Sequence, residues 1–141
     1  MNTTLILFLL LSIPSISHAS RWLELQQDDV KIVELDLDSL QNVGTQNAPI
    51  AKAWLKLTPF QGAQKLQLSS GEYTQSLQLF DCTRKRISYL QFVFYTPDGR
   101  VKRSLKSADS SYDDVIPEST GEDTLITVCK ALATTMTKKA K

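Results

Sequence analysis

The cleanest alternation of apolar and polar positions runs from Ile50 to Leu57. It places Ala53, Leu55 and Leu57 on one side and Lys52, Trp54 and Lys56 on the other. A period of two marks a strand that is covered on one face only. Trp22–Leu25 reads as a short first strand, Asp28-Asp29 as the turn after it, and Val30–Leu35 as a second, β-branched strand. Asp36–Gly44 reads as a connection, with Asp36 or Asp38 and Ser39 as turn formers and Gly44 as a turn glycine. Tyr73–Phe80 alternates again, and Arg86–Tyr95 is rich in aromatic and β-branched residues. Pro97-Asp98-Gly99 predicts a tight turn that returns Val101–Leu105 as a hairpin partner. The stretch Thr58–Gly71 is broken by Pro59, Gly62 and Ser69-Ser70-Gly71, with Leu66-Gln67-Leu68 as a candidate short strand.

After Lys106 the pattern changes. Ser107–Asp114 is polar, and Ser119-Thr120-Gly121-Glu122 has the S-x-x-E form of a helix capping box. Leu125, Val128, Cys129 and Leu132 then recur at helical spacing and make one apolar stripe. The expected fold is therefore α+β: a curved antiparallel sheet of about six strands with one C-terminal helix packed on it. Lys138, Lys139 and Lys141 read as a frayed basic tail.

The amino terminus adds a different signal. Leu5–Leu11 is unbroken and apolar, too short for the roughly 20 residues a membrane span requires. Ser17-His18-Ala19 fits the small-x-small rule, so residues 1–19 read as a signal peptide cleaved before Ser20. Met1-Asn2-Thr3-Thr4 carries no Lys or Arg, which departs from the usual basic start. No Cys follows the apolar run, so neither a lipid anchor nor a transmembrane anchor is expected. Residues 20–141 form a single exported domain, periplasmic or secreted. In such a domain two cysteines most simply pair, and Cys82–Cys129 would pin the helix to the sheet. The alternative is free thiols or intermolecular pairing.

Composition narrows the chemistry. The only histidine is His18, inside the signal segment, so the exported part has no imidazole for a Ser-His-Asp or Cys-His nucleophile or for a zinc site. Adjacent acids such as Asp113-Asp114 do not form a calcium loop. No enzyme activity, metal or cofactor is expected. The net charge of +1 argues against general nucleic-acid binding. Locally the charge is uneven: Arg84, Lys85, Arg86, Arg100, Lys102, Arg103 and Lys106 crowd the hairpin, with Asp98 the one acid among them, and an acidic stretch follows from Asp109 to Asp123. These seven cations are the candidate ligand-binding set, for a polyanion such as a glycosaminoglycan or for an acidic protein segment. The competing reading is solvated strand faces partly paired with the acidic stretch. Trp54, Tyr89 and Tyr95 are a candidate aromatic surface, or else core or interface, whereas Trp22 and Phe60 carry no signal beyond packing.

An ordered set of short motifs resembles the surface-adhesin protein E-like family of bacterial exported proteins. They are Trp22, Asp38-Ser39, Trp54-Leu55-Lys56, Phe80-Asp81-Cys82 followed by Lys85-Arg86, Tyr95 with Gly99 and Val101, Ile116-Pro117-Glu118-Ser119 with Gly121-Glu122, and Val128-Cys129-Lys130. The resemblance implies a six-stranded antiparallel sheet with a disulfide-tied C-terminal helix. It further implies binding of host extracellular-matrix or plasma proteins and a capacity to form a homodimer. The family's namesake is a lipoprotein, and this chain lacks the lipidated cysteine. A periplasmic structural or envelope-maintenance role without a host ligand is the alternative function.

Overall fold

The structure, a computed structural model, describes residues 20–139. The signal segment Met1–Ala19 and Lys141 of the basic tail lie outside the described residues. The strands are β1 (Trp22–Gln27), β2 (Lys31–Asp36), β3 (Gln41–Asn42), β4 (Ile50–Pro59), β5 (Tyr73–Asp81), β6 (Arg86–Tyr95), β7 (Val101–Lys106) and β8 (Asp113–Asp114), followed by helix α1 (Thr120–Lys139). They form one open antiparallel sheet in the order β1-β2-β4-β5-β6-β7, with β3 added beside β4 and β8 beside β6. The expected α+β architecture is thus present, and the two extra strands are two-residue pieces inside stretches that read as connections.

One segment corrects the sequence reading. Leu66-Gln67-Leu68 is not a strand: Gln64–Leu66 is a single 3-10 turn, stopped by Gln67 in the left-handed region at φ 54°. Only Leu68 keeps a strand-like bridge, to Ala63. The turn at Pro97-Asp98-Gly99 forms as expected, with the Gly99 amide donating to the Thr96 carbonyl and Gly99 at φ +83°.

The register explains which residues share a face. Ala51, Phe80 and Ile87 lie opposite one another across β4, β5 and β6, as do Leu35, Leu55, Ser76 and Phe92 across β2 to β6. Onto part of this face α1 lays Leu125, Val128 and Leu132, all but fully buried. Ala51 and Ala53, both fully buried, give the helix room for close approach, while Phe80 and Leu35 fill the space beside them. Register shifts at Glu24/Gln26, Leu77/Gln78 and Phe94/Tyr95 insert one extra residue each, and such bulges bend and twist a sheet. The bulge in β1 also turns Leu25 toward the core.

At the start of α1 the capping box is displaced by one residue. The Glu122 amide donates to Ser119 Oγ at 3.3 Å, but the Glu122 carboxylate accepts from the Glu118 amide at 2.9 Å. Glu118 stands at φ 58°, which swings its N–H toward the helix end. Cys82, directly after β5, is bonded to Cys129 in the middle of α1, with their Cα atoms 5.8 Å apart.

This bridge closes a sequence separation of 47 residues, which on the chain-entropy argument corresponds to about 4 kcal/mol. A Cys82→Ala/Cys129→Ala variant should therefore melt well below the parent. Amide exchange should show α1 losing protection before β4 and β5. Equal melting temperatures would remove the bridge from any stabilising role.

Candidate functional site: the open face of the sheet

Among the described residues α1 is the one α-helix and lies on one face, so the other face is formed by whatever the alternation places there. Glu34 and Lys56 are directly opposed on β2 and β4 and joined by a 2.8 Å ion pair. The Lys56 ammonium also lies 5.4 Å from the ring centre of Trp22 and 5.6 Å from that of Tyr73. Tyr73 in turn stacks on its cross-strand partner Tyr95, with ring centres 4.8 Å apart and planes within 6°. The Tyr95 hydroxyl meets Gln75 Oε1 at 3.2 Å. Burial raises the pKa of Tyr95, with a further contribution from Tyr73, so the phenol keeps the proton it donates to Gln75. Trp22, Lys56, Tyr73 and Tyr95 thus form a continuous row from β1 to β6, about 19 Å across at the spacing of strands. Each of the four keeps partial solvent exposure.

Trp54 stands one step along β4 from Lys56 on this same face, also half-buried. It sits where β2 has ended and β3 has not begun, so its amide has no strand partner on that side. The Ser39 hydroxyl fills the gap, accepting from the Trp54 amide at 2.9 Å while donating to the Asp36 carbonyl at 2.8 Å. The connection Asp38–Gln41 and Trp54 border a shallow cavity of about 400 Å³ together with Lys52 and Leu77.

The sequence-derived aromatic trio is divided by the fold. Trp54 and Tyr95 share the open face, but Tyr89 pairs with Gln78 and so faces the helix side. Trp22 and Tyr73, by contrast, are in the row. In the sequence Trp22 carries no signal beyond packing. The signal for Tyr73 was present in the alternation of β5, which puts it in phase with Gln75 and Leu77. For Trp22 no such signal existed, because its place depends on the pairing of β1 with β2.

The seven cations are likewise not one patch. Arg84, Lys85 and Arg86 lie at the β5–β6 turn, while Arg100 lies at the β6–β7 turn, the far end of a strand about 30 Å long. Along β7, Arg103 pairs with Phe94 on the helix side, and Lys106 pairs with Gln91 on the open side. Most have partners close by. Arg86 and, more loosely, Arg84 meet Asp81 at 3.1 and 3.9 Å, and Lys85 meets Glu122 at 3.5 Å. Arg100 meets Asp98 at 2.6 Å and Lys102 meets Glu72 at 2.8 Å. Arg103 instead lies 3.9 Å above the Phe94 ring. Of the acidic stretch, Glu122 alone reaches one of these cations as an ion pair among the described residues; the other partners come from elsewhere in the chain.

Asp81 is the best-held of these carboxylates, 5% exposed. Burial acts to raise its pKa, but the Arg84 amide, the Arg86 guanidinium and the Thr83 amide together outweigh it and leave the carboxyl below its ordinary value. A depressed value means stabilisation that is complete above the unfolded-state pKa near 4 and lost as pH falls through the lower folded value. Asp81→Asn should lower stability by about 1–3 kcal/mol at neutral pH. Urea unfolding from pH 3 to 7 should show the gap between variant and parent narrowing toward the acid end.

Among the described residues there is no grouping of His, Cys, Asp and Glu able to hold a metal ion, and no helix long and apolar enough to cross a membrane. No curated protein and no solved structure gives a match to the chain. The family model described as surface-adhesin protein E matches residues 22–130, from the first residue of β1 into α1 and across both cysteines. The chain therefore belongs to the surface-adhesin protein E family, a family of exported proteins.

Proposed function

We propose that this protein is a non-catalytic binding module, acting in the periplasm or after secretion, whose ligand face is the open side of the sheet. The observation that carries this is the row Trp22–Lys56–Tyr73–Tyr95 with Trp54 beside it: aromatic, partly exposed and left uncovered by α1. Tyr and Trp supply most of the energy at protein interfaces because they bury much area while losing few rotamers. The Tyr73–Tyr95 stack and the Lys56 ammonium between Trp22 and Tyr73 already hold these three rings, which lowers the ordering cost of binding. Family membership supports the same reading at the level of a surface adhesin, and a protein of the host matrix or plasma is the ligand proposed.

Polyanions are the weaker partner. Five of the seven hairpin cations have carboxylates within ion-pair distance, and those at the two turns are separated by the length of β6. A highly charged chain would have to displace these local partners to bind.

Binding to immobilised, solubilised extracellular matrix should fall about thirtyfold in Trp54→Ala or Tyr95→Ala, the scale of an interface hot spot. Arg84→Ala/Lys85→Ala/Arg86→Ala should bind like the parent and elute from heparin at the same salt. Matrix binding indifferent to both aromatic changes, or lost with the basic triplet alone, would reject the open face as the ligand surface.

A further inference from the structure

The helix covers only part of its own face. Beyond it, β2, β4, β5 and β6 leave a trough of about 310 Å³ walled by Val33, Leu55, Leu57, Tyr89, Phe92 and Phe94. A second hollow of about 170 Å³ shares Val33, Leu55, Leu57 and Tyr89, so the trough continues toward the first turn of α1 at Thr120 and Thr124. Leu66, on the 3-10 turn, lines the other end. Such a volume lies at the small end of the range for small-molecule sites.

Its floor is not apolar. Thr74, Ser76 and Gln78 point into it from β5, each no more than 7% exposed. Gln78 Nε2 donates to Ser76 Oγ at 2.6 Å, which leaves the amide oxygen of Gln78 with acceptor capacity. At the Leu66 end, one cross-strand row joins Leu57, Thr74, Phe94 and Arg103. The Arg103 guanidinium lies over Phe94 and is held by Gln67 Oε1 at 2.9 Å and the Leu66 carbonyl at 3.2 Å. Unlike its neighbours Arg100 and Lys102, Arg103 has no carboxylate within ion-pair distance among the described residues. A guanidinium carries five N–H donors, so several remain beyond these two bonds, beside Phe94 and Leu66, which line the trough.

We infer that this trough is a binding site for a single-chain anionic amphiphile of the fatty-acid type. The acyl chain lies against Val33, Leu55, Leu57 and Phe92, and the carboxylate sits at the mouth with Arg103 and the Thr74 hydroxyl. The charge at the mouth selects this occupant: a second copy pressing an apolar surface here would bury the Arg103 charge without a counter-ion, which is costly. The volume admits one chain rather than a bulky ring system. The trough is on the face opposite the aromatic row, so either site can fail without the other.

Titration of the purified, oxidised protein with cis-parinaric acid, a ring-free fluorescent fatty acid, should give saturable, one-to-one fluorescence enhancement, displaced by dodecanoate and more weakly by dodecanol. Arg103→Gln should weaken dodecanoate about tenfold, the scale of a lost charge-assisted contact, and leave dodecanol unchanged. Ser76→Phe, which fills the middle of the trough, should abolish displacement by both. Unchanged displacement by dodecanol in Arg103→Gln shows that the trough is intact despite the lost contacts of Arg103 with Phe94, Gln67 and Leu66. The inference is overturned by the absence of saturable enhancement or by equal dodecanoate affinity in Arg103→Gln. It is also overturned if dye uptake requires dissociation of a dimer, which would make a second copy the occupant.

Discussion

The packing of α1 on Ala51, Ala53 and Phe80, fixed in place by the bond from Cys82 to Cys129, decides what every other surface of this protein can be. The sheet is six strands wide along its main path, and α1 contacts β1, β4 and β5. One helix cannot span such a width, so part of one face and all of the other must be finished by side chains alone. On the open face this is done by long, amphipathic residues that lie across their neighbours: Lys56 between two rings, Tyr73 on Tyr95, Glu34 against Lys56. On the helix face it is done only partly, and the remainder is the trough.

The same constraint orders the charges. A hairpin of two ten- and six-residue strands cannot gather residues from both of its ends, whatever their closeness in sequence. The lysines and arginines of β6 and β7 therefore serve local jobs. Arg86 and Asp81 close the turn before β6, Lys102 at its bulge neutralises the buried Glu72, and Arg100 holds Asp98 in the next turn. With Glu72, the Lys102 contact, the Ser69 amide and more distant Arg103 together keep the carboxyl ionised at a lower pH than usual, against the opposing effect of burial. Glu72 is thus a buried charge with its partners already in place.

Much of the fold was legible in the sequence because its signals are local. Alternation identified β4 and β5, the Pro-Asp-Gly triplet placed the β6–β7 turn, and the spacing of Leu125, Val128, Cys129 and Leu132 gave the helix and its buried side. The three bulges were not legible, since a bulge is a property of two paired strands. Their omission matters: beyond the extra residue Leu90, Phe92 and Phe94 fall in phase with Tyr89 rather than against it. The site was less legible still. Trp22, Lys56, Tyr73 and Tyr95 come from four strands, and nothing short of the strand order brings them together. Leu66-Gln67-Leu68 misled because apolar–polar–apolar is too short a pattern to separate a strand from one 3-10 turn with a left-handed stop.

Ser39 has a consequence of its own. β2 and β3 share one edge of β4 but leave a gap at Trp54, and a side-chain hydroxyl is the only thing that seals it. The segment from Leu37 to Leu40 thus meets β4 at Trp54 through a side chain instead of a ladder. It is not loose: the Leu37 amide donates to the Arg21 carbonyl, Asp38 pairs with Arg21, and Leu40 is buried in the core. Trp54 is in this way a contact residue whose amide answers to a side chain outside the ladder, so Ser39 ties the open face to the core packing of Leu40.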